Sequence, residues 1–247
     1  MQVDSAKRFS ASDLEQRVAQ RLREAGASEA SLGAATRAML HASLVGVDSH
    51  GVRLTEHYCR MLHGGRVNKD PQLSVDIRAA GSAMVHADDG LGHYAAYRAV
   101  EVGIGLAREA GVGAVGISHS SHLGAAGAYA VAGAEQGFVT FATTNTDSMV
   151  ALHDGAQRFH GTNPLAFAAP VPGAKPWLLD MATSSIPMNR VLLHRSLGEP
   201  LPEGVAADEH GAATTDPALA EMLLPLGGAA FGFKGAALAG VATLFSA

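Results

Sequence analysis

The feature that most limits the fold is an alternation that begins near residue 82. Short β-type runs, SAMVHA (82–87), VGAVGIS (112–118), FVTFATT (138–144), LAFAAPV (165–171) and WLLDMA (177–182), are interleaved with Ala-rich stretches of helical pattern. Helices are expected at Tyr94 to Glu109 and at Ala125 to Glu135. Strands separated by helices imply an α/β domain. The N-terminal part reads differently. Ser12 with Glu15 makes a capping box for a first helix that Gly26 stops, and Ser28 can cap a second. A third helix is expected from Leu54 to His63, closing at Gly64 and Gly65. A helical domain over 1–75 and an α/β domain over 76–247 follow as the expected organisation. Residues 197–225, rich in Pro, Gly and short polar residues, read as a surface excursion. A last helix is expected from Lys234 to Ala247.

Composition narrows the partners. The 247 residues are 47% hydrophobic and 17% charged, with a net charge of -5 and no run of basic residues. Nucleic acid, which needs a track of cations against its phosphates, is not expected. A single Cys59 excludes an internal disulfide, and no signal sequence or stretch of about 20 apolar residues is read. The expected setting is the cytoplasm, with no membrane partner.

Several strings could carry chemistry. Gly111 to Gly116 spells GxGxxG, but a helix precedes it and a strand runs through it, the reverse of a dinucleotide fingerprint. A better candidate is Ser120 to Gly127, which follows a strand and opens a helix, where backbone N–H groups bind phosphate. A plain turn of small residues accounts for that string equally well. His119 and His122 are spaced as HxxH, yet a zinc site needs three or four ligands and none stands beside them. No metal is expected.

Asp48-Ser49-His50-Gly51, with Arg53 three residues past the histidine, fits proton donation to an alkoxide beside a carboxylate-binding Arg better than it fits a hydrolytic triad. Ser49 as a turn cap and Arg53 as a surface charge is the plainer alternative. Asn145-Thr146, Gly161 to Pro164 and Asp180 to Ser184 put short polar side chains at three strand ends, where ligands of α/β domains collect.

In order along the chain, GVDSHGVRL, SHSSHLGAAGAYA, TTNTDS, GTNPLAFAAP, LDMATSS and PLGGAAFGFKG resemble the malate/L-lactate dehydrogenase family. Its members include sulfolactate and ureidoglycolate dehydrogenases and Δ1-piperideine-2-carboxylate reductase. The resemblance implies a helical N-terminal domain with an α/β domain whose mixed sheet is not a Rossmann fold. It implies NAD- or NADP-dependent oxidoreduction at CH-OH donors, on a small 2-hydroxy or 2-keto acid or a cyclic imino acid, in a homodimer. His50 would be the acid/base with Ser49 in support, and His122 competes for that role. Arg53 and Thr162 would touch substrate. The cofactor would meet the turn of His122, Leu123, Gly124, Ala125 and Ala126. It would also meet Thr146, then Asp180, Met181 and Ala182, and lastly Phe233 with Lys234.

This chain departs from some members at Met188, Asn189 and Arg190, where they carry an Arg-Gly pair and a relay Asp. Members also continue past the point matching Ala247. The alternative expectation is therefore a truncated, catalytically inactive member with a binding role or none.

Overall fold

The computed structural model describes residues 8–246. Contacts divide the chain into two compact units, one ending at Gly133 and one beginning at Ala134. The first unit runs past residue 75, where the sequence pattern changes, because α2 packs on α4 as well as on α1.

In the first unit, α1 (Ala11–Glu24) is capped by Ser10, whose side chain accepts from the Asp13 amide. The cap expected at Ser12 lies inside the helix, two residues on. Ser28 caps α2 (Glu29–Leu44) as its position suggests. Two short 3-10 turns, Asp48–His50 and Val52–Leu54, lead into α3 (Thr55–His63). Helices α1 to α3 bury Leu22, Leu32, Met39, Tyr58 and Leu62 around one core. Removing a side chain such as Leu22, which has no exposed surface, would cost about 2–5 kcal/mol.

Strands β1 (Ser74–Ala79) and β2 (Ser82–His86) form an antiparallel pair. After β2, α4 (Gly92–Ala110) crosses over, and β3 (Ala114–Ser118) joins β2 in parallel. Gly111 ends α4 in the left-handed region, at φ 82. The Gly111 to Gly116 string is thus a helix cap running into a strand, as its order implied. A loop then leads to α5 (Gly127–Ala134).

The second unit holds two sheets. Strand β4 (Thr140–Thr143) pairs antiparallel with β7 (Leu165–Ala169), which pairs antiparallel with β8 (Trp177–Met181). Strands β5 (Val150–Ala151), β6 (Arg158–His160), β9 (Ala206–Ala207) and β10 (Met222–Leu223) form a mixed sheet in the order β6-β5-β10-β9. Helix α6 (Met188–Leu197) precedes β9, and α7 (Gly228–Ser246) follows β10. The stretch read as a surface excursion is largely exposed but also contributes to a core. Leu201, Val205, Ala206, Ala220 and Leu223 pack with Val150 and Val191, because pairing across more than 70 residues buries them.

Helix α7 begins six residues before the expected start at Lys234. It is 19 residues long and, among the described residues, the one helix long and apolar enough to cross a membrane by length and composition. Its Leu244 and Phe245 are 83% and 73% exposed.

Candidate active site

The first unit gathers the Ser-His motif and the loop after β3. Ser49 Oγ lies 2.9 Å from His50 Nδ1 in the first 3-10 turn. The turn is held by the Ser43 hydroxyl, which accepts from the Val52 amide at 3.1 Å. The His50 ring stacks on that of His122 with centroids 5.8 Å apart and planes 25° from parallel. The two histidines that compete for one role are therefore neighbours. Arg53 is exposed on the second 3-10 turn, three residues from His50.

Three residues that the sequence reading did not single out complete this cluster. His57 meets the His122 ring edge-on at 6.3 Å, and the Tyr58 hydroxyl lies 2.7 Å from His122 Nδ1. His93, at the start of α4, is fully buried edge-on against Tyr58 at 4.6 Å. Neither of its ring nitrogens has a hydrogen-bond partner. Tyr58 stands four residues past the GVDSHGVRL motif, and its burial comes from α1–α3 packing and has no local signal.

Packing works against charge on three groups of the cluster. Loss of water, with His122 nearby, pushes the His93 imidazole down to about 3. Loss of water around the packed ring, then His50 and His57, push His122 down to about 4, although the residue keeps an exposed edge. Burial raises the Tyr58 phenol well above its ordinary range. Charging any of these groups would require the protein to replace hydration it has removed.

The loop from His122 to Ala126 leaves its amides unspent. Among the described residues none of its five amides donates to a protein acceptor, and Gly124, Ala125 and Ala126 are buried. Buried amides are paired in most structures, and free ones ahead of a helix are where an anion binds. The same loop is fixed from behind, since the Tyr129 hydroxyl of α5 donates to the Leu123 carbonyl. His119, the other member of HxxH, points elsewhere: it is exposed with its Nδ1 3.9 Å from Asp89.

In the second unit, two of the three polar strand ends meet Thr162 directly. The Thr162 amide donates to Thr146 Oγ1 at 3.0 Å, and the Thr183 hydroxyl donates to the Thr162 carbonyl at 3.1 Å. Asn163, buried with φ 32, accepts from the Thr146 amide. Its side-chain nitrogen donates to the Ala239 carbonyl and to Thr243 Oγ1 on α7. Asn163 is a hub that turn chemistry alone did not mark. Asp180 and Met181 lie on β8, in register with Ala166 and Leu165, and Ala182 follows the strand.

Lys234 and Phe233 are placed differently from expectation. The Gly-rich segment is helical from Gly228, so Lys234 sits nearly two turns inside α7 and not at a helix terminus. Its Nζ lies 5.0 Å from the Phe231 ring centroid and 6.0 Å from that of Phe233. The positive end of the α7 dipole is therefore at Gly228 and not at Lys234. Phe233 meets His153 edge-on at 5.8 Å. Met188, Asn189 and Arg190 form the first turn of α6.

The chain is 38% identical over 195 residues to malate dehydrogenase of Pyrococcus abyssi, covering 77% of this chain and 53% of that one. It is 40% identical over 214 residues to (2R)-3-sulfolactate dehydrogenase (NADP(+)) of Chromohalobacter salexigens, covering 85% and 62%. The chain thus spans between about half and two thirds of the length of these curated relatives. The crystal structure of Δ1-piperideine-2-carboxylate reductase from Pseudomonas syringae pv. tomato superposes with a TM-score of 0.90 at 30% identity, over 98% of this chain and 73% of that one. The family model described as malate/L-lactate dehydrogenase matches residues 9–247, and the chain belongs to that family.

Proposed function

We propose that this chain forms the site of an NAD(P)-dependent oxidoreductase acting at C2 of a small 2-hydroxy or 2-keto acid, or of a cyclic imino acid. The observation that carries this reading is the His50 ring, tied at Nδ1 to Ser49 and stacked on His122 beside five free amides. A bound nicotinamide would supply or accept the hydride. In the reducing direction, His50 gives its proton to the oxygen or nitrogen on C2 as the hydride arrives at carbon, leaving a neutral imidazole and the 2-hydroxy or 2-amino product. Arg53, exposed and without an ion pair among the described residues, would hold the substrate carboxylate, and the Thr162 hydroxyl would bond the substrate.

The cofactor contacts in this reading are the His122 to Ala126 loop, Thr146, Asp180 to Ala182, Phe233 and Lys234. A homodimer is part of the same proposal, supported by the exposed apolar row Phe141, Phe167 and Leu179 across β4, β7 and β8. A cytoplasmic setting is supported by the one free and buried thiol, Cys59.

The test follows NADH and NADPH absorbance against a panel of 2-oxo acids and Δ1-piperideine-2-carboxylate. His50→Ala should lower kcat by a factor of roughly 10² or more with little change in cofactor affinity. A near-normal rate in that variant transfers the role to His122. A second reading, in which the chain by itself turns nothing over, is favoured by the exposed apolar residues Leu244 and Phe245 of α7. Tight NADH or NADPH binding by the chain would defeat it.

A further inference from the structure

Two histidines of the site are each tied at Nδ1 to a hydroxyl, and the hydroxyls are not alike. Ser49, beside His50, is half-buried. Its hydroxyl can donate to a bare Nδ1, or accept from a protonated one and turn its own proton to water. Tyr58, beside His122, has no exposed surface. If His122 donated from Nδ1, the phenol proton would need another acceptor inside the core. The only hydrogen bond recorded for that hydroxyl among the described residues is to His122. The adjacent His93 is turned edge-on to the phenol ring, and both its nitrogens lack partners. An unpaired buried O–H is a penalty that donation to Nδ1 avoids.

We propose that Tyr58 is a positioning residue that donates its hydroxyl proton to Nδ1 of His122, fixing His122 as the neutral Nε2–H tautomer. His122 then serves as a hydrogen-bond donor to a carbonyl or carboxylate oxygen of the 2-oxo acid, while His50 moves the proton. This rests on the oxidoreductase reading for its substrate, and on geometry alone for the tautomer. Electrostatics act in the same direction. A cationic His122 would face His50 from the 3-10 turn, His57 from α3 and His93 from α4, with no carboxylate against its ring among the described residues. The Tyr58 phenol stays protonated because burial disfavours its anion. One histidine can change charge and the other is held from doing so by the hydroxyl behind it.

The experiment is a long-range proton–nitrogen correlation spectrum of the chain with 15N-labelled histidine, at neutral pH and without cofactor or substrate. The expected result is a bare, pyridine-type Nδ1 and a protonated Nε2 for His122. Tyr58→Phe should convert this to a mixture of tautomers while the thermal transition stays cooperative. A protonated Nδ1 in the unaltered chain, or an unchanged tautomer in a folded Tyr58→Phe, overturns the proposal. Should the variant fail to fold, the unaltered chain decides. A slowly exchanging Tyr58 hydroxyl proton coupled to His122 Nδ1 supports the assignment, and an Nδ1-bound proton at that position refutes it. No turnover is needed, so this result stands apart from the absorbance assay that tests the oxidoreductase reading.

Discussion

Two Gly-rich segments, Ser120 to Gly127 and Pro225 to Gly235, look alike as strings and are built for different ends. In the first, Gly124 takes φ +74 in an irregular loop, and the amides around it have no protein acceptor. In the second, the chain is helical from Gly228, and its glycines are set by contact. A Cβ at Gly235 would lie 2.4 Å from the Leu226 carbonyl oxygen, and one at Gly232 would lie 2.9 Å from His153 Nδ1. Small residues before a helix therefore mark either an open cradle for an anion or a close approach of backbone to backbone. What decides is whether the amides are already spent on a helix.

The comparison can be broken in four ways. The largest effect expected is that of acid on the core behind the first segment. His93 titrates near 3 in the folded chain and near 6.5 when unfolded, so the unfolded chain binds the extra proton between those values. Stability is full above about pH 6.5 and falls as the pH drops towards 3, by up to about 1.4 kcal/mol per pH unit for each such proton. His122 acts in the same direction, more weakly because the residue is exposed to water. Urea unfolding at stepped pH should show this, and a folded His93→Gln should flatten it; an unchanged slope would mean that His93 is hydrated.

Next is Gly235→Leu. The obstacle is backbone, which cannot swing aside, so overpacking should cost about 1–3 kcal/mol or more and lower Tm. An unshifted Tm would show that α7 is not pressed on Leu226. Lys234→Ala should weaken NAD(P)H binding by about 1–3 kcal/mol, the range for a charged hydrogen bond, and barely move Tm, since its recorded partners are two exposed Phe rings. Unaltered affinity for both cofactors would remove α7 from the cofactor site. Smallest is Gly124→Ala, where a left-handed φ costs roughly 1–2 kcal/mol and the new methyl lies 3.2 Å from His93 Nε2. Cofactor titration should show weaker binding than in the unaltered chain, and equal binding would argue against the loop as a cradle.

Local signals made much of this fold readable. Ser28 as a cap and the helix-then-strand order around Gly111 depend on neighbours a few residues apart, and the structure has them so. The Ser12 cap slipped by two because Ser10 and Ser12 offer the same hydroxyl and only the Asp13 amide chooses between them. Strands of two residues left no periodicity to find, and β5 and β10 are defined by the neighbours they pair with across the sheet, each other among them. The site divides in the same manner. Ser49, His50 and His122 stand in motifs, and the structure brings them together. Asn163 stands in the GTNPLAFAAP motif, but its bonds to α7, like the burial of His93, come from partners distant in sequence.

The pairing of β5 with β10 also sets a schedule for the nascent chain. Val150 is beside Leu223 in the finished sheet, so the partner of the earlier strand is still unmade when that strand leaves the ribosome. At about 5–20 residues per second, the 73 residues between them take roughly 4–15 s to synthesise. For that interval Val150 and the mixed sheet's first hairpin have no completed core to enter, and the apolar surface they will bury is open to other chains. A chaperone that holds this stretch until Leu223 emerges would act where, among the described strand pairings, the wait is longest.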